Sequence, residues 1–188
     1  MAKIYDNNAA HGLSGRVNQF VYRQRFGKTV VSKRPVRTSG FTETQQVYLS
    51  NFKKAVLYAS SILQNEMVKR AYQENAKPGH SAYNAAIADY LKAPEIHSLD
   101  LGGLAGTTGG KISATVTDNF WVEVVKIKIE NPAGEFIEEG NAIKQADGTT
   151  WVYYTQTTGA NISGNLITVI AADHPGNITQ YSEFINRF

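Results

Sequence analysis

Cysteine is absent from the 188 residues, which removes disulfides, thiolate nucleophiles and cysteine-based zinc sites together. Histidine is scarce. His11, His80, His97 and His174 form no i,i+4 pair and have no third ligand at a useful spacing, so local sequence offers no histidine metal site. No run approaches the ~18 apolar residues that cross a bilayer, and the opening MAKIYDNNAAHGLSG lacks the apolar stretch of a secretory signal. The expectation is a chain that is cytoplasmic on synthesis and makes no membrane contact, with a later place in a virion-like or extracellular assembly left open.

Catalytic signatures are equally thin. No serine stands in a G-x-S-x-G elbow, and nothing suggests a paired acid and base. AGTTGGKI at 105–112 comes near a phosphate-binding loop. However, Ala105 replaces its first glycine, Ile112 replaces the Ser or Thr that would hold magnesium, and a strand rather than a helix follows. Glu135, Glu138 and Glu139 read as solvated charges on an edge strand. No enzymatic activity, no cofactor, no metal and no small-molecule substrate are expected.

What is present is ordinary globular material, 42% hydrophobic and 19% charged, with a charge that is unevenly placed. Residues 1–95 hold 14 Lys and Arg against 6 Asp and Glu, while 96–188 hold 5 against 10, so the net +3 conceals halves of +8 and −5. Residues 1–41 alone carry eight cations and one acid. Such an arm suits nucleic acid, or the acidic half of a neighbouring copy.

The stretch GRVNQFVYRQRFGKTVVSKRPVR, residues 15–37, contains seven cations and no acid. Its β-forming residues on either side of RFGK predict a hairpin, with Gly27 supplying positive φ and Pro35 ending the second strand. Along each strand the apolar residues alternate, Phe20 and Tyr22 opposite Val21 and Val30 opposite Val31, and a lone two-stranded ribbon needs something to pack on. Phe20, Val21, Tyr22, Phe26, Val30 and Val31 are the candidate self-association residues. Arg16, Arg23, Arg25 and Lys28, followed by Lys33, Arg34 and Arg37, are the candidate phosphate contacts if nucleic acid is the partner, with Phe20, Tyr22 and Phe26 stacking on bases. A third reading has the arm folded back on its own helices.

Thr42-Glu43-Thr44-Gln45 matches a capping box and starts a helix to about 64, with Leu49, Phe52, Val56, Ala59 and Leu63 as its apolar stripe. Asn65 caps a second helix, roughly 66–76, with Val68, Ala71 and Tyr72 inward. Ser81 caps a third, 82–92, with Tyr83, Ile87, Tyr90 and Leu91 inward. Six cations against four acids over these helices make a weak match to an HMG box. From Ile96 the pattern changes to β-rich runs at 97–101, 111–117, 122–130, 135–138, 150–157, 165–172 and 178–184, with Trp121 and Trp151 placed near a core. This spacing predicts an immunoglobulin-like sandwich.

Two resemblances accompany these patterns. VEVVKIKIENPAGEFIEEGNA with LITVIAADHPGNIT resembles bacterial immunoglobulin-like domains over about residues 96–185, which implies a spacer or binding module. The front, with Gly12, Ser14, Gly15, Val17, Arg34, Pro35, Thr42, Gln45 and Phe52, resembles a group of uncharacterised proteins from Bacteroidetes and their phages that share a G-x-S-G-x-V opening and a basic hairpin. That likeness implies a shared arm-plus-helices module and no particular activity. The combined expectation is an α+β, multidomain chain: a basic β-hairpin arm at 1–41, a three-helix unit at 42–94 and an all-β sandwich at 95–188. The expected role is structural, as a homo-oligomer or a component of a filament or phage-like particle assembled through the arm; nucleic-acid binding by the arm is the alternative.

Overall fold

The computed structural model describes residues 2–4, 13–36, 40–104, 109–156 and 163–185. Its first strands are β1 (Ala2–Ile4), β2 (Gly15–Val17), β3 (Phe20–Arg25) and β4 (Lys28–Lys33), paired in the order β1-β4-β3-β2. The expected hairpin is β3–β4. Phe26 and Gly27 form its two-residue turn with φ of 50° and 73°, the mirror-image geometry whose twist suits paired strands. The flanking strands β1 and β2 extend the hairpin on both sides; three residues each carry too little alternation to be read from sequence.

The helices among the described residues are α1 (Glu43–Ile62), α2 (Glu66–Asn75) and α3 (Ala82–Tyr90). The capping box forms as expected: Gln45 N donates to Thr42 Oγ1 and Thr42 N to Gln45 Oε1, both at 3.3 Å. Asn65 accepts from Met67 N and Val68 N, and Ser81 from Asn84 N. The inward faces differ in part from the expected ones. In α1 the buried stripe begins only at Ala55 and continues through Val56, Ala59, Ile62 and Leu63, whereas Leu49 and Phe52 are exposed. In α3 the buried residues are Ala82, Ala86, Ile87 and Asp89, while Tyr83 and Leu91 face solvent. A nine-residue helix rich in alanine has no strong periodicity. Alanines on its inner face allow close approach, and that rotates the two large residues outward.

The strands that follow are β5 (Glu95–Gly103), β6 (Lys111–Thr117), β7 (Val122–Glu130), β8 (Phe136–Asn141), β9 (Ile143–Lys144), β10 (Thr150–Tyr154), β11 (Leu166–Asp173) and β12 (Ile178–Phe184). They form two antiparallel four-stranded sheets, β5-β6-β10-β9 and β12-β11-β7-β8. Both contribute to one core: Ile112, Ala114 and Val116 on β6 and Trp151 and Tyr153 on β10 meet Val125, Ile127 and Ile129 on β7 and Ile167, Val169 and Ala171 on β11. Alternate residues of each strand point inward, as a half-buried sheet requires. Trp151 lies in this core as expected, and Trp121 is half-buried at its margin.

The chain divides into two compact units, Met1–Gln46 and Val47–Phe188. In the second, the helices and sheets are joined. Phe120, in the loop between β6 and β7, stacks on Tyr72 of α2 with ring centroids 4.0 Å apart. Asn177 Nδ2 donates to the Tyr90 carbonyl at 3.2 Å, and Thr179 Oγ1 to the Pro94 carbonyl at 2.6 Å.

Gly140 marks a close approach between the sheets: a Cβ there would lie 2.5 Å from Cε2 of the buried Tyr153 ring. Gly140→Ala is expected to destabilise the second unit by roughly 1–3 kcal/mol, the usual cost of overpacking. Ile143→Ala, at an exposed position, should stay within about 0.5 kcal/mol of the parent. Chemical denaturation of the two variants checks the contrast.

Candidate functional site

Antiparallel partners share a face of a sheet, so the register of the arm sorts its side chains. Val17 opposes Phe20, Tyr22 opposes Val31 and Gln24 opposes Thr29; Arg16 opposes Val21, which opposes Ser32, while Arg23 opposes Val30 and Arg25 opposes Lys28. One face therefore holds Val17, Phe20, Tyr22 and Val31, with Lys33 at its end. The other holds Arg16, Arg23, Arg25 and Lys28 around Val21 and Val30. The alternation along each strand is as expected, but cross-strand pairing gathers the aromatic residues on one side and four of the cations on the other.

Burial completes the picture. Phe20 is 36% exposed and Val17 57% exposed, Tyr22 and Val31 are half-buried, and Phe26 stands almost fully exposed (98%) at the hairpin tip. Val21 and Val30 are half-buried among exposed Arg16, Arg23, Arg25 and Lys28, whose long aliphatic stems can cover a valine while the charge stays in water. Lys33 and Arg34 are exposed, and Arg34 N donates to the Gln19 carbonyl at 2.7 Å. Arg37 and His11 lie outside the described residues. Between residues 13 and 46, the only buried residue among those described is Thr29, and no apolar side chain is buried.

The remaining sequence candidates serve local structure. Glu139 pairs with Lys126 at 3.3 Å, Glu135 accepts from Asn131 Nδ2 at 2.7 Å, and Glu138 accepts from Gln156 N at 3.2 Å, with β8 at a sheet edge. His97 Nε2 contacts Thr117 Oγ1 at 2.6 Å, and His174 Nδ1 lies 3.4 Å from Glu123. Lys111 opens a strand, and residues 105–108 of the glycine-rich segment lie outside the described residues.

A second site, not expected from the sequence, lies where the helices meet the sheets. Asp89 near the end of α3, Asp118 just after β6 and Asp173 at the end of β11 bring one carboxylate oxygen each to within 4.8 Å of one another. Asp89 is fully buried (0%) and Asp173 nearly so (3%). Tyr72 donates to Asp89 Oδ2 at 2.7 Å and lies 3.1 Å, hydroxyl to hydroxyl, from Tyr58. Asp173 closes the DHPGN turn, accepting from Asn177 N at 2.6 Å and Asn177 Nδ2 at 2.7 Å. Asp89 Oδ1 and both oxygens of Asp118 are buried without a well-formed hydrogen bond, Asp118 lying near the backbone N–H groups of Asn119 and Phe120 and beside the Asp89 carboxyl.

The electrostatics follow from that crowding. Burial raises the Asp89 carboxyl to about 7, against the pull of the Tyr72 hydroxyl and with the charges of Asp118 and Asp173 adding to the rise. Burial likewise raises Asp118, opposed by the backbone N–H groups of Asn119 and Phe120. Tyr72 and Tyr58 are raised as well, first by burial. The three aspartates are 29 and 55 residues apart, so no local motif announces them. The only local signals were the DHPGN turn and an aspartate on the inner side of α3.

A carboxyl whose folded value is raised gives stability that is complete below its unfolded value, 3.8 for Asp89, and is lost as pH rises through about 7. In a chelating buffer, wild-type stability is therefore expected to fall between about pH 5 and about pH 8 more steeply than that of Asp89→Asn, which cannot titrate. Thermal melts of both chains across this range measure the difference; parallel curves would remove the Asp89 contribution.

No family model matches the chain, and no curated protein matches it significantly. Among solved structures, CopC from Methylosinus trichosporium OB3b superimposes with a TM-score of 0.36 at 14% identity, covering 47% of this chain and 87% of that one. At that level of likeness neither a fold family nor a function carries across, and the chain's antiparallel sheets and three helices stand on their own geometry.

Proposed function

We propose that the protein is a non-enzymatic assembly component whose N-terminal sheet docks on a second copy of the chain, with the helix-and-sheet body displayed as an immunoglobulin-like spacer or binding module. The observation that carries this reading is the burial pattern of the first unit. Between residues 13 and 46 the sheet has no buried apolar side chain among the described residues, so these strands supply no apolar core of their own, and sheets become stable by burying one face. Charge selects the partner. Met1–Gln46 holds eight Lys and Arg against two Asp and Glu, net +6, whereas Val47–Phe188 holds 11 against 14, net −3. Unlike charges on two surfaces of one chain favour head-to-tail contacts, which close into rings or run on as filaments. Exposed Val47, Tyr48, Leu49 and Phe52 on the first turns of α1 add apolar surface of the kind that marks protein contacts.

Nucleic acid is the second reading, favoured by one observation: Arg16, Arg23, Arg25 and Lys28 share a face, a disposition that suits phosphates.

Because the register separates the two surfaces, substitutions separate the two readings. Full-length protein is expected to form dimers or larger species by light scattering. Phe20→Ala with Tyr22→Ala should reduce association at least tenfold, while neutralising Arg16, Arg23, Arg25 and Lys28 should chiefly slow it, as charges at a rim do. Phe26→Asn is a useful companion, since asparagine accepts the left-handed turn better than phenylalanine: it should keep the hairpin and weaken association. A wild type that stays monomeric at high concentration would sink the assembly reading. Duplex DNA binding with a log–log salt slope near −0.9 per phosphate contact, flattened by the charge variant and untouched by the aromatic one, would establish the alternative.

A further inference from the structure

Carboxylates buried together are costly unless an opposite charge offsets them. Among the described residues no cation forms an ion pair with Asp89, Asp118 or Asp173: the ion pairs are made by Lys69, Lys92, Lys126, Lys128 and His174 with other carboxylates. We propose that these three aspartates bind a hard divalent cation of the calcium class, held between α3, the β6–β7 loop and the end of β11.

Four features point to this ligand. The first is the unused acceptor. Asp89 is wholly buried (0%), and its Oδ1 has no well-formed donor and lies beside the Asp118 carboxyl, although its other oxygen is held by Tyr72. Buried polar atoms left over in this way call for a ligand or an ion.

The second is size. Three atoms no more than 4.8 Å apart have a common point within about 2.8 Å of each, close to the calcium–oxygen distances of roughly 2.3–2.6 Å; magnesium, at about 2.0–2.1 Å, would demand a larger contraction.

The third is donor type. Oxygen alone, without nitrogen or sulfur, selects hard cations over soft ones.

The fourth is the supporting layer. Tyr72 holds Asp89, and Asn177 holds Asp173 through two hydrogen bonds of 2.6 and 2.7 Å. Each carboxylate oxygen retains a lone pair for a metal after accepting one hydrogen bond. The site lies wholly within Val47–Phe188, so it is independent of the arm and of the assembly reading. Its role is to clamp three segments remote in sequence.

The test uses the full-length chain, stripped with a chelator and held near pH 8, where the aspartates are best able to ionise. Calcium is titrated in thermal melts, with magnesium as the comparison. Terbium is added separately and excited through the aromatic residues, since Tyr72 is bonded to Asp89 and stacked on Phe120, itself stacked on Trp121 at 4.6 Å. Calcium at about a hundred times its Kd should raise the Tm by roughly 5–10 °C. Terbium should give sensitised emission that calcium displaces. Asp89→Asn and Asp118→Asn should each lose at least tenfold in affinity while keeping the parent near-ultraviolet circular dichroism without cation. The proposal is overturned by an absence of any shift or emission at about 10 mM calcium, beyond the weakest extracellular sites. A response to magnesium alone, or responses in both variants equal to the parent, would overturn it too.

Discussion

The Tyr72 side chain is the point on which the second unit turns. Its ring stacks on Phe120 from the loop between the sheets, and its hydroxyl bonds both Tyr58 of α1 and Asp89 of α3. A fully buried tyrosine must satisfy its hydroxyl, and here that requirement draws three helices and a sheet loop to one place. The acidic group it selects as partner is left in a crowded, dry setting, and the unusual electrostatics of Asp89 follow from this arrangement. Removing the hydroxyl would strand the remaining carboxylate oxygen, which costs more than the hydrogen bond itself contributes.

The two units solve the problem of stability differently. Val47–Phe188 has a continuous core shared by two sheets and a second cluster beneath the helices. Met1–Gln46 has a well-formed hydrogen-bonded ladder, but between residues 13 and 46 none of the described apolar side chains is buried. Its turn also carries a bulky residue, Phe26, at a φ of 50°, which costs on the order of 1–3 kcal/mol in isolation. Both features are at odds with an independent domain and consistent with a segment completed by another surface.

Much of this was legible in the sequence where the signal is local. Thr42, Asn65 and Ser81 cap helices because a side-chain oxygen next to free amide groups does so wherever it occurs, and Gly27 closes a hairpin for a similarly local reason. The alternation of Ile112, Ala114 and Val116 is by itself the mark of a half-buried strand. Long-range facts were harder to read. Phe20 and Val31 share a face only because of the pairing register, Leu49 is exposed although it continues the apolar stripe of α1, and Asp89, Asp118 and Asp173 converge only through the topology. In each case the deciding partner lies far away in the chain, where periodicity carries no information.

The lack of buried apolar side chains among the described residues between 13 and 46 has a bearing on cooperativity. Heat capacity and the steepness of unfolding scale with the apolar surface released, and nearly all of that surface belongs to Val47–Phe188. A melting curve of this protein is therefore a record of one unit, to which the arm contributes little. A sheet with few buried apolar side chains is expected to open locally at small cost. If the arm docks as proposed, the chain has two separate thresholds, one for holding its shape and one for engaging a neighbour, and a change in temperature or concentration can cross the second without approaching the first.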